Sequence, residues 1–268
     1  TNSSGSFSDS IIAATEEDIT IIADEDVRIQ NSLIWTGSLS SPSLSETTGN
    51  IEISSENGSI VLDQTILTRP SNNSISPNNV DSGSITLRAL TNIQTGALST
   101  SNPFRQGNAG NIFLDPIGDD IEVASINATA PNGIGGTVDI TAGRFFRVTD
   151  DFADFNGIDA SISSAGSSGN GSITIRHGGN EFIPFTVGDA NLNGTSAAIT
   201  TGSNTILPTQ AFLSPFIQGD IRVITIPQQE SLVNLEDISI DIDEAAISRE
   251  SDDAVKPAFV TVISDVLV

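Results

Sequence analysis

The 268-residue chain carries 34 acidic and 10 basic residues, a net charge of −24, has neither Cys nor Met, and is only 5% aromatic. That balance excludes a nucleic-acid binder, because no Lys/Arg stripe is available to replace phosphate counterions. The lack of thiols excludes a disulfide scaffold, thiol catalysis and thiolate metal sites, and no apolar run approaches the roughly 20 residues that span a bilayer, so no membrane insertion is expected. The acidic surface attracts divalent cations or basic partners. A chain that opens on Thr1 without any Met is expected to be a processed piece of a secreted precursor.

The apolar residues are mostly Ile, Val, Leu and Ala, set among Ser, Thr, Asn and Gly. β-branched residues suit pleated strands and the small polar residues supply turns. Near the N-terminus Ile19-Thr20-Ile21 and Val27-Arg28-Ile29 alternate, each preceded by acids. They predict strands in coils of an N-terminal segment, residues 1–48. Trp35 is expected to plug an end or to sit in the core. Ser38 to Thr48 and Ser71 to Ser82 read as loops.

A signature then recurs: Gly, a small polar residue and an aliphatic alternation. It stands at Gly49-Asn50-Ile51-Glu52-Ile53, Gly58-Ser59-Ile60-Val61-Leu62, Gly83-Ser84-Ile85-Thr86-Leu87 and Gly110-Asn111-Ile112-Phe113-Leu114. It returns at Gly136-Thr137-Val138-Asp139-Ile140, Gly171-Ser172-Ile173-Thr174-Ile175 and Gly219-Asp220-Ile221-Arg222-Val223. From Gly58 through Gly83 and Gly110 to Gly136 the period is about 26 residues, the signature of a solenoid. Further strands are predicted inside each period, at Ile121–Ile126, Phe145–Val148 and Ile158–Ile162. Two or three short strands per turn make one coil of a parallel β-helix across residues 49–226. A β-sandwich with Asn-Gly hairpins, such as Asn57-Gly58 and Asn170-Gly171, competes, but it has no reason to repeat one five-residue signature at a long period. Pro208, Pro215 and Pro227 predict that regular coiling changes after Leu207, since Pro is excluded from central strands. Residues 227–268 form an acidic C-terminal segment that ends in an apolar strand.

Gly157-Ile158-Asp159-Ala160-Ser161-Ile162-Ser163 leads through Gly171-Ser172-Ile173-Thr174-Ile175-Arg176-His177-Gly178-Gly179 into Pro184-Phe185-Thr186-Val187-Gly188-Asp189-Ala190, Asn193-Gly194-Thr195 and Ala198-Ile199-Thr200-Thr201-Gly202. This run resembles the rod of cyanobacterial exoproteins of the filamentous-haemagglutinin type, exported by two-partner secretion and often joined to a caspase-like CHAT domain. The resemblance covers roughly residues 50 to 225. It implies a right-handed parallel β-helix, all-β, displayed on the cell surface or outside the cell, and it carries over no catalytic residue. The secretion-domain signature and the CHAT segment are not evident in the chain, and the acidic tail has no counterpart in the resemblance.

An enzyme acting on polysaccharide needs clustered carboxylates or a basic residue with calcium. The paired acids Asp119-Asp120, Asp150-Asp151 and Asp252-Asp253 are neighbours in sequence, and neighbours on a strand face opposite ways. No catalytic residue is therefore assigned, and a lyase or hydrolase is the remote alternative. His177 is expected in a turn with its ring exposed. Calcium, which takes several hard oxygen ligands, is the one cofactor considered, at Asp150, Asp151 and Asp154 in one loop and at Asp237, Asp241 and Asp243 on one strand. Self-association is expected through the terminal strand, with Phe259, Val260, Val262, Ile263, Val266 and Val268. The function expected is an extracellular fibre or surface-layer rod whose partner is itself. The alternative is an adhesin stalk that binds glycans or cell surfaces through loops such as Ser71–Ser82 and Thr149–Asn156.

Overall fold

The computed structural model describes residues 5–8, 11–14, 17–37, 48–70, 80–103, 107–116, 119–179 and 182–227. All belong to one unit, Thr1–Gln229; a second, Glu230–Val268, lies outside the described residues. The described residues are all-β and form a parallel β-helix of three sheets. Each coil contributes a strand to the third sheet, then the first, then the second. The coil built from Ile112–Pro116, Ile121–Val123 and Ile126–Asn127 is typical. It stacks in parallel register on Ile85–Ala89, Ile93–Thr95 and Leu98–Ser99.

The stacking turns alternate residues into continuous interior ladders. Ile19, Ile51, Ile85, Ile112, Val138, Ile173 and Ile221 lie one above another in the third sheet. Ile34, Ile66, Leu98, Ile126, Ile162 and Ile199 do so in the second. All are buried in one hydrophobic core, each burial being worth about 2 kcal/mol. Stacked aliphatic chains fill the narrow interior, which accounts for the scarcity of aromatics. Trp35 is not part of it. Its strand, Leu33–Thr36, turns Ile34 and Thr36 inward, and Trp35 stands half-buried on the outer face between Ala13 and Leu67.

Two ladders explain the recurring signature. A Cβ on Gly110 would overlap the carbonyl oxygen of Gly83, and one on Gly136 that of Gly110, so this corner admits only glycine. The small polar residue that follows caps the next coil. Asn50 Oδ1 accepts the Ser84 N–H at 2.9 Å, Ser84 Oγ the Asn111 N–H at 3.2 Å, and Asn111 Oδ1 the Thr137 N–H at 2.8 Å. Thr36, Thr68 and Thr100 donate from inside the same corner to the carbonyls of Gly49, Gly83 and Gly110. Gly58 belongs elsewhere: it precedes Ile60–Leu62 of the first sheet and packs on Asp26. The ladder that begins at Gly49 therefore spans 34, 27 and 26 residues per step, not an even period from Gly58. Loop length varies while the stacked residues stay in register.

The winding reverses after Ala198–Thr200, where Pro208 and Pro215 interrupt the pattern. Thr205–Ile206, Gln210–Phe212 and Phe216–Gln218 visit the second, first and third sheets in that order, and each pairs antiparallel with a strand of the sheet it reaches. Gly219, with φ 57°, turns the chain back so that Ile221–Thr225 fills the place between Phe216–Gln218 and Ile173–His177. A reverse-wound coil thus closes this end of the described solenoid.

Candidate functional site

Of the acids considered for calcium, Asp150, Asp151 and Asp154 lie in the flap that leaves the first sheet and returns as Phe152–Ala153, antiparallel to Asp159–Ser163. Asp154 is 6% exposed, and its carboxylate accepts the Asn156 N–H at 2.8 Å, the Ile158 N–H at 3.0 Å and the Ser163 hydroxyl at 3.3 Å. These donors engage both carboxylate oxygens in holding the loop. Asp150 Oδ1 accepts the N–H of Asp151, and the Asp150 carbonyl takes the hydroxyls of Ser161 and Ser196. Among the described residues no three carboxylates or imidazoles converge. The flap instead holds a tight loop that presents Phe155, 41% exposed, beside Asn156. Asp237, Asp241 and Asp243, and the apolar set Phe259, Val260, Val262, Ile263, Val266 and Val268, lie outside the described residues.

His177 is neither in a turn nor exposed. It ends the strand Ile173–His177, points inward, and is 1% exposed. The column it joins holds Ala89, Pro116 and Ala142 in the coils below, and the extra volume is met by a local change in the first sheet. This coil sets two rungs there, Phe185–Val187 and Gly194–Thr195. The Phe185 ring lies tilted against the His177 ring at 5.3 Å and stacks on Phe146 at 6.2 Å. Nδ1 of His177 meets the Asn193 side-chain nitrogen at 3.2 Å and so serves as the acceptor, while Nε2 has no hydrogen-bond partner among the described residues. Burial pushes the imidazole pKa down to about 4.

The outer face of the third sheet holds a recess of about 170 Å³. Successive strands bring Arg88, Asp115, Thr141 and Arg176 into one outward column and Phe113 and Asp139 into the adjacent one. Arg176 is held by the Asp139 carboxylate and by Thr141 Oγ1 at 3.4 Å. Arg88 leans towards Glu52 at 3.6 Å, both about half exposed. The sequence carried this cluster in plain view, as outward positions of Gly-led strands, but its members are far apart in the chain. Only the correct phase of the coils aligns them.

A second recess, at the reverse-wound end, is lined by Pro184, Phe212, Leu213, Pro215 and Phe216, with the two Phe rings stacked at 4.1 Å. Other corners are occupied by ion pairs and caps. Arg144 grips Asp120 through two bonds at 2.8 and 2.7 Å while Asp120 also caps the Phe145 N–H, and Arg147 pairs with Glu122. Asp26 caps the Ser59 N–H at 2.8 Å, and that bond, followed by the one from Arg28, holds its carboxyl below the usual carboxylate range. Asp26, Asp120, Glu122 and Asp139 thus fasten coil to coil. Comparison with protein-family models, with curated proteins and with solved structures finds no match to this chain.

Proposed function

We propose that the chain is an extracellular structural element, a non-catalytic rod segment of a surface fibre or surface layer, like the exoprotein rods its sequence resembles. The observation that carries this reading is the use of polar side chains. Asp18, Asp26, Asn50, Asp81, Asn92, Asn108 and Asn111 each accept a backbone N–H of the next coil. Such a stack is stiff along its axis, and its stability is a sum of neighbouring-coil contacts. Assembly proceeds through unpaired strand edges. Gly5–Ser8, Ile11–Ala14 and Ile19–Ala23 have a partner on one side only among the described residues, and a strand of another copy would satisfy the other side. The strand expected at Phe259 to Val268 would serve the same purpose.

Negative-stain microscopy of the purified chain, with and without millimolar calcium, tests this. Filaments with an axial repeat support the fibre. Calcium-dependent filaments would favour the acids expected as calcium ligands, and dispersed particles under both conditions would overturn self-assembly. The second reading, an adhesin, draws on the Phe155 loop, where a buried carboxylate fixes the backbone while an aromatic faces outward. Cell or glycan binding that is lost with Phe155→Ala would favour it.

A further inference from the structure

We infer that the recess on the outer face of the third sheet is a binding subsite for a neutral hexopyranose unit of an oligosaccharide. A sugar ring offers two chemistries at once, a face of C–H groups and an equator of hydroxyls that both donate and accept. The recess supplies a partner for each. Phe113, 37% exposed on a rigid central strand, is an apolar platform. On either side stand planar donors and acceptors. Arg88 and Arg176 have only N–H groups to donate, and ionised Asp115 and Asp139 have only oxygens to accept with. Arg176 is already oriented by Asp139 and Thr141, so little side-chain entropy is lost when a hydroxyl binds.

Charge selects the ligand. Two guanidiniums and two carboxylates line the recess, Glu52 sits 3.6 Å from Arg88 at its rim, and the chain as a whole carries −24. A uronate or sulfated polymer would be repelled by the surrounding field. A cationic ligand would find Asp139 already paired with Arg176. A neutral polyol meets neither obstacle. A volume of about 170 Å³ takes one ring, with the rest of the chain lying along the sheet. One ring in an open recess binds weakly, with a dissociation constant on the order of 1 mM.

The test is a ¹H–¹⁵N NMR titration of the whole chain with neutral hexaoses of β-1,4-linked glucose, α-1,4-linked glucose and β-1,4-linked mannose, beside an oligogalacturonate. The expected result is saturable shifts for at least one neutral hexaose, centred on residues 86–88, 113–115 and 139–141. Phe113→Ala and Arg88→Gln should each weaken binding about tenfold, and Phe182→Ala, exposed and outside the recess, should leave it unchanged. All three positions face outward, and an unchanged urea midpoint verifies that each variant is folded. Absence of saturation by every neutral hexaose at tens of millimolar would overturn the proposal. So would binding that survives both recess variants, or preference for the uronate.

Discussion

Asn111 Oδ1 accepts the backbone N–H of Thr137 from the coil above it at 2.8 Å, and Asn111 in turn receives its own N–H cap from Ser84 below. The same residue is donor to one neighbour and acceptor for the other. Asn111→Ala should therefore cost about 1 kcal/mol, the typical worth of a capping side chain, and Asn111→Asp should retain most of it. Urea denaturation monitored through Trp35, the single Trp, checks the difference.

The Gly110 corner is less forgiving. Gly110→Ala places a methyl against the Gly83 carbonyl, which is backbone and cannot rotate away. A loss of about 3 kcal/mol or local parting of the two coils is expected. Two residues on, the face decides the outcome. Ile112→Ala empties a fully buried ladder position and should cost about 3 kcal/mol, whereas Phe113→Ala on the opposite face should cost less than about 0.5 kcal/mol. Amide exchange across 83–140 distinguishes parted coils from uniform destabilisation.

His177 makes stability depend on pH in a defined window. Its folded pKa of about 4 lies below the ordinary 6.5, so the unfolded chain takes up the proton first as pH falls. Stability is full above about pH 6.5 and is lost progressively towards pH 4, by about 3 kcal/mol in total. Asp26, whose carboxyl is held below 3.8, loses its contribution only at lower pH, so the two effects separate. His177→Leu should flatten the profile between pH 4 and 6.5, measured as urea midpoints on the two variants. An unchanged slope would mean that another group titrates.

Asp154 clamps its loop through three donors. Asp154→Ala leaves them without an acceptor and should cost about 2 kcal/mol, with new proteolytic cleavage confined to residues 149–158. Asp151→Ala, at an exposed position, should change neither. Equal cleavage in both variants would show that the clamp does not hold the flap.

Sequence alone determined the class of structure, because period-two alternation and the Gly-polar signature are local and each coil must repeat them. The ladder of Ile85, Ile112 and Val138 was legible for that reason, and Pro208 and Pro215 marked where regular coiling changes because Pro is excluded from central strands. The capping role of Asn50, Ser84 and Asn111 was half legible: their recurrence showed, their partners did not. Tertiary structure decided which residue stands above which. Insertions of different length separate stacked residues, so Phe146 receives its cap from Asn193, 47 residues away, and no fixed period predicts the pairing. That register moved Gly58 to another corner, buried His177 beneath Phe185, turned Trp35 to the outer face and joined Arg88 to Asp115. Contacts across coils depend on summed loop lengths, and those become geometry only when the sheets stack.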